Sequence, residues 1–186
     1  MGDELTHLLP SLDESVIKAM EKWPDVPVCA GWVGLDERGQ WRIKGQIIRH
    51  QRTVNFLGQH YRPQSDGAWY VQNGPQKVLI DLAYTPWVYR LTAERDFETH
   101  TGLVSRRLTS VYADDDGNLL LDTEYGIGVV DDRDLEAAAN CLEIDNDLAA
   151  AKIDGRRVAI TLVERARVAP QFGFIAHPGD DAAAND

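Results

Sequence analysis

One pattern constrains this fold more than any other, because it occurs twice. Asp36-Glu37-Arg38-Gly39-Gln40-Trp41 returns as Asp114-Asp115-Asp116-Gly117-Asn118-Leu119, an offset of 78 residues. Lys77-Val78-Leu79-Ile80-Asp81-Leu82 returns as Arg157-Val158-Ala159-Ile160-Thr161-Leu162, an offset of 80. A helical stretch between them aligns at about the same offset, and a small insertion accounts for the drift. Three elements in the same order and nearly the same spacing point to duplication of a unit of strands, a helix and more strands. The expected fold class is therefore α+β: two tandem related repeats of short antiparallel strands plus one helix, preceded by an N-terminal helix. The expected organisation is an N-terminal helix and linker over 1–27, a first repeat over 28–95 and a second over 96–178. A disordered tail is expected over 179–186.

Local chemistry supports each element. Leu12–Trp23 carries Val16, Ile17, Met20 and Trp23 at helical spacing, with Ser11 as N-cap, Glu14 in the capping-box position and Pro24 as stop. Val28–Leu35 reads as a buried strand, 36–39 as a tight turn with Gly39 supplying positive φ, and Gln40–Ile43 and Gly45–Ile48 as short strands. Arg49–Tyr61 is a helix with Val54, Leu57 and Tyr61 on one face, and Arg62–Gly67 is a loop. Ala68–Gln72 and Lys77–Leu82 are strands joined by Asn73-Gly74, and Trp87–Thr92 is a further strand. The second half repeats the order: Val111–Ala113, a turn, Leu119–Leu121, Tyr125–Val130, a helix over Asp131–Glu143 with an acidic first turn, and Arg157–Val163.

Some of these residues resemble domain-of-unknown-function family 1285, a group of uncharacterised bacterial proteins. The likeness rests on Gly39-Gln40-Trp41, Gly45, Ile48-Arg49, and Lys77-Val78 through Pro86-Trp87-Val88. Arg38 stands where that family usually has Asp, and Ile47 where it usually has Pro. The matching stretch is roughly Asp36 to Arg90, and the family's C-terminal aromatic and Arg-rich helix signature is not recognisable. The resemblance implies two related α+β repeats. A ligand-binding or signalling role has been suggested for the family, with no established activity.

Charge narrows the function. Asp plus Glu total 30 against 19 Lys plus Arg, a net charge of −11. That field is the wrong sign for a general nucleic-acid binder. No apolar run approaches the ~20 residues of a membrane span, and Met1–Pro10 lacks the character of a signal peptide. Met1-Gly2 to Thr6 fits the loose myristoylation pattern, too short to decide anything. Cys29 and Cys141 sit in no paired spacing and read as reduced, small hydrophobes, so a cytoplasmic home is expected.

Reaction motifs are absent. There is no GxSxG, P-loop or GxGxxG, and Gly126-Ile127-Gly128 lies within a strand. The Asp114–Asp116 triplet lacks the alternation of a calcium loop and reads as a solvated turn. The five His residues show no metal-ligand spacing. No catalytic residue, metal ligand or cofactor is assigned.

Two leads remain. Arg38, Arg42, Lys44, Arg49, Arg52 and Arg62 fall in one stretch with no acidic residue, and Arg49 and Arg52 lie near a helix start, which favours anions. Trp69, Tyr70, Tyr84, Trp87 and Tyr89 form an aromatic group able to line a pocket or to fill a sheet core. The candidate ligand-binding residues are Trp41, Arg49, Arg52, Trp87 and Tyr89. The leading expectation is a non-enzymatic ligand-binding or regulatory module taking a small anionic ligand near the first repeat. The alternatives are a protein–protein interaction or homo-oligomeric scaffold protein, with a homodimer as one possible assembly, and an enzyme of unknown chemistry. Residues 1–93 hold 10 basic and 10 acidic side chains and all five Trp, whereas 94–186 hold 9 basic and 20 acidic. The acidity that argues against nucleic acid thus belongs to the second half.

Overall fold

The computed structural model describes residues 5–144 and 149–179. The tail expected over 179–186 lies, from residue 180 onward, outside the described residues. The chain forms two units. One takes the chain up to Asp36, Gln40–Tyr84 and the chain from Gly173; the other takes Glu37–Gly39 and Thr85–Phe172.

The first unit contains α1 (Glu14–Lys22), β1 (Cys29–Leu35), β2 (Trp41–Ile43), β3 (Gln46–Ile47), α2 (Gln51–Gln59), β4 (Tyr61–Pro63), β5 (Trp69–Asn73) and β6 (Gln76–Leu82). Its six-stranded sheet runs β3-β2-β1-β6-β5-β4. The second contains β7 (Trp87–Leu91), β8 (Phe97–Thr99), β9 (Leu108–Asp114), β10 (Leu119–Thr123) and β11 (Gly126–Val130). A 3-10 turn (Asp132–Asp134), α3 (Leu135–Cys141), β12 (Ala150–Ile153), β13 (Arg156–Val163) and α4 (Arg165–Phe172) follow. Its seven-stranded sheet runs β12-β13-β9-β10-β11-β7-β8.

The duplication reaches the hydrogen-bond register. The block β3-β2-β1-β6-β5 of the first sheet matches β11-β10-β9-β13-β12 of the second. Val33 faces Ile80 and Leu35 faces Leu82 in the first; Val111 faces Ile160 and Ala113 faces Leu162 in the second. These are the offsets of 78 and 80 residues read from the sequence. Both central pairs are parallel, because the chain crosses through a helix before returning. The sheets are therefore mixed: the first has one parallel junction, β1–β6, and the second has two, β9–β13 and β7–β11. The turns repeat too. Asp36 Oδ1 accepts from the Gln40 N–H at 2.8 Å, and Asp114 Oδ1 accepts from the Asn118 N–H at 2.8 Å. Gly39 and Gly117 both take positive φ, which glycine adopts without strain.

The differences from the sequence reading are local. β4 occupies the start of the expected loop 62–67, and β8, β12 and α4 fill stretches that had no assignment. β7 and β8 straddle the expected boundary at 95, and both lie in the second sheet, where β7 pairs with β11 in parallel. The first helix begins after Asp13 rather than Ser11, and the Val16 and Ile17 N–H groups donate to the Asp13 carbonyl. Asp13's carboxylate caps nothing, because Gln59 donates to it at 2.7 Å and His60 approaches it at 3.4 Å. In the second unit Asp131 caps the 3-10 turn by accepting from the Arg133 N–H.

Each sheet has its own core. Leu35, Trp41, Tyr61, Val71, Ile80 and Leu82 fill the first, with Trp41 and Tyr61 edge to face at 5.3 Å. Trp87, Tyr89, Val111, Leu120, Leu121 and Val168 fill the second.

Candidate functional site

The five candidate residues fall into two groups. Trp41, Arg49 and Arg52 belong to the first unit, and Trp87 and Tyr89 to the second. The three aromatics are at most 1 % exposed, so these positions present no aromatic surface. The polar atoms of Trp87 and Tyr89 are engaged inward. Trp87 Nε1–H donates to the Tyr125 carbonyl at 2.6 Å. The Tyr89 hydroxyl donates to the Gly126 carbonyl at 2.8 Å and meets the Thr123 hydroxyl at 2.7 Å. Burial raises the Tyr89 phenol well above its ordinary pKa. Gly128 lets this packing close: a Cβ there would lie 2.5 Å from the Tyr89 ring and 2.7 Å from Trp87 Cβ. Close packing against such large side chains is what sheet cores ask of aromatics.

The basic stretch separates into distinct roles. Arg38 makes a two-pronged bond to Asp132 at 2.8 and 2.7 Å, holding that carboxylate below its usual pKa range. Arg42 donates to Asp36 Oδ2 and to the Gly45 carbonyl, both at 2.9 Å. Lys44 stacks over the Trp32 ring at 4.1 Å. Arg62 is buried. Arg49 and Arg52 are left exposed, one just before α2 and one in its first turn.

Local geometry makes that helix start electropositive. The first turn of α2 carries no acidic residue, and its N-cap, His50, makes no side-chain capping bond. The His50 ring turns instead to the Thr53 hydroxyl at 3.1 Å. The Thr53 and Val54 N–H groups donate to the His50 carbonyl, which leaves the Gln51 and Arg52 N–H groups outside the helical ladder. The partial positive charge of the helix end adds to two guanidiniums. Neither guanidinium forms an ion pair among the described residues. An exposed carboxylate or phosphate could take both the fork of an arginine and a backbone N–H here.

Among the described residues no three His, Cys, Asp or Glu side chains are placed to hold a metal ion. His100 is enclosed at Nε2, although part of the residue reaches solvent, and burial pushes its imidazole down to about 3. It is neutral at physiological pH and accepts weakly from the Val88 N–H at 3.4 Å. An open depression of about 330 Å³ in the second unit is lined by Leu108, Thr109, Ile153, Asp154, Arg156 and Val158. Among the described residues no helix is long and apolar enough to cross a membrane.

The family model described as "Protein of unknown function (DUF2946)" matches residues 12–179. The chain belongs to this family. Its match spans both sheets. No curated protein matches the chain. A crystal structure of a DUF1285 family protein from Silicibacter pomeroyi DSS-3 is similar at 15% identity and a TM-score of 0.51. The alignment covers 82% of this chain and 97% of that one. A second DUF1285 family structure, from Shewanella baltica OS155, aligns at 14% identity over 59% of this chain and 91% of that one, with a TM-score of 0.45. The first supports at the level of fold the resemblance read from Gly39 to Val88, and carries no ligand or activity to this chain.

Two features escaped the sequence reading. Arg62 is buried, and Trp32 is half exposed. Typical burial preferences point the other way for both. For Trp32 the cause is a register shift in β1 between Cys29 and Val33, where Gly31 takes φ +72.

Proposed function

We propose that this protein is a non-enzymatic binding or regulatory module whose first repeat takes a small anionic ligand at the start of α2, through Arg49 and Arg52. The observation that carries this reading is the contrast among the arginines. Arg38, Arg42, Arg90, Arg133 and Arg165 all meet carboxylates, whereas Arg49 and Arg52 stand exposed at a helix end with no acid in its first turn. The buried aromatics belong instead to the two cores, Trp41 to that of the first unit and Trp87 and Tyr89 to that of the second. The test is a thermal-shift screen of nucleotides and carboxylate metabolites on the wild type and on Arg49→Ala. A ligand that raises the melting temperature of the wild type and loses at least most of that rise in Arg49→Ala supports the reading. A broad panel with no such ligand overturns it.

A second reading, a protein–protein or homodimeric role, has its own support. Trp32 is 51 % exposed on β1, and Lys44 stacks on it. Exposed aromatics of this kind serve as interface anchors. Light scattering on the wild type and Trp32→Ala separates the two readings: a concentration-independent monomer removes the dimer.

A further inference from the structure

Arg62 sits on β4, the edge strand of the first sheet, and is 6 % exposed. Its Nη2 donates to the Pro10 carbonyl. Its Nη1 is closed off from solvent and has no hydrogen-bond partner among the described residues. Arginine keeps its charge inside proteins. A guanidinium that is buried, charged and short of a counter-ion is an arrangement that a facing anion relieves.

The neighbours of Arg62 add to that charge. Tyr70 on β5 is its cross-strand partner. Lys77 on β6 places its ammonium 4.7 Å from the centre of the Tyr70 ring. Tyr70 and Gln72 point to one side of the sheet, Arg62 pairs with Tyr70, and Lys77 pairs with Gln72, so the two cations and the phenol share a face. Lys77 also donates to Gln64 Oε1 at 3.4 Å. The acid near Lys77, Asp66, is already engaged by the Ala68 N–H at 2.9 Å and the Gln64 amide at 2.8 Å.

The segment Leu5–Pro10 reaches Arg62 through the Pro10 carbonyl. Leu9 is its buried side chain, Leu8 is 48 % exposed, and the Pro10 carbonyl takes one prong of the guanidinium. A carbonyl supplies a partial charge where an oxyanion would supply a full one and would take both prongs.

We propose that Arg62, with Tyr70 and Lys77, forms the floor of a second anion site, which takes a free phosphate or carboxylate group when the Leu5–Pro10 segment lifts. This site is separate from the start of α2 and does not depend on Arg49 or Arg52.

The experiment is thermal melting in inorganic phosphate or acetate against chloride at matched ionic strength. The wild type should show a saturable rise with phosphate, acetate or both. Arg62→Met, which keeps the stem and removes the charge, should lose that rise while keeping a folded circular-dichroism spectrum. Should Arg62→Met not fold, Lys77→Met carries the test and should weaken the apparent affinity about tenfold. Arg49→Ala should keep the part of the response that Arg62→Met removes. Hydrogen exchange at Leu8 and Leu9 should speed up in the saturating anion. An absent rise in the wild type, or an undiminished one in Arg62→Met or, where that variant does not fold, in Lys77→Met, overturns the proposal. So does a response lost in Arg49→Ala and kept in the Arg62 or Lys77 variant, which would leave the α2 site standing alone. An anion response that appears only in the double variant Asp3→Asn, Glu4→Gln would show a carboxylate of the chain's own N-terminus filling the place, and would equally overturn a free-ligand site.

Discussion

Leu82 and Leu162 hold the same place in the two repeats, paired with Leu35 and Ala113 across the central parallel junction. Leu82 is fully buried and Leu162 is 73 % exposed. The strands around them keep one topology and one register, so the repeat itself does not decide burial. What runs beside these strands differs between the two units. The Leu82 N–H donates to the Ala176 carbonyl at 2.8 Å, and the Ile175 N–H donates to the Gly67 carbonyl at 2.9 Å, so Gly173–Gly179 runs along the first unit. Duplication supplies the frame, and added segments then make two copies unequal.

Four experiments sharpen or break this comparison. The largest effect is expected at the paired leucines. Leu82→Ala should cost about 3 kcal/mol by urea unfolding, the usual range for a filled core site, and Leu162→Ala should stay within about 0.5 kcal/mol. Equal losses would show that Leu162 is covered in solution. The turn glycines come next. A Cβ on Gly39 would lie 2.5 Å from His100 Cβ, whereas one on Gly117 meets nothing within 4 Å. Both have positive φ, so Gly117→Ala should cost about 1 kcal/mol in backbone strain alone. Gly39→Ala should cost about 3 kcal/mol with the clash added.

His100 gives the second unit an acid sensitivity. Below its ordinary value of 6.5 the unfolded chain takes up a proton there, while the folded imidazole waits until about 3. Stability should therefore fall as pH drops below about 6.5, by about 2 kcal/mol at pH 5. His100→Gln should flatten that part of the pH profile, and an unchanged slope would assign the loss to other groups. The smallest difference is expected at the turn carboxylates. Asp114 accepts from the Asp116 and Asn118 N–H groups and the Asn118 amide, and Asp36 accepts from the Gln40 N–H and Arg42. Asp114→Ala should cost about 2 kcal/mol and Asp36→Ala about 1 kcal/mol.

The parts legible in the sequence are those with local causes. The Asp-to-Gly turns, the Asn73-Gly74 hairpin and the long helices announce themselves by residue type, and their recurrence made the duplication visible. The parallel pairing of β1 with β6 joins residues some 47 apart, which no local pattern records, although the repeated offset implied that both halves solve it alike. β4 and β8 have three residues each, too few for an alternation to register. α4 carries Pro170 inside it, a residue that argues against a helix. The position of Arg49 and Arg52 at a helix start was legible because a helix start is a local signal. The aromatics were not, because Trp and Tyr serve cores and pockets equally and only burial separates the two. Arg62 lay inside the basic stretch, and its burial follows from β4 and the Pro10 carbonyl, neither of which sequence spacing reveals.

The return of Gly173–Gly179 to the first unit reorders assembly in time. A ribosome releases β1 to β6 first, yet their unit lacks the buried Phe174 and Ala176 until the whole second unit has been made. The second unit has all of its strands, and α4, once Phe172 emerges. Vectorial synthesis therefore inverts the order along the gene: the N-terminal copy waits, partly open, while the C-terminal copy closes. During that interval the exposed edge of the first sheet is the surface a chaperone would meet.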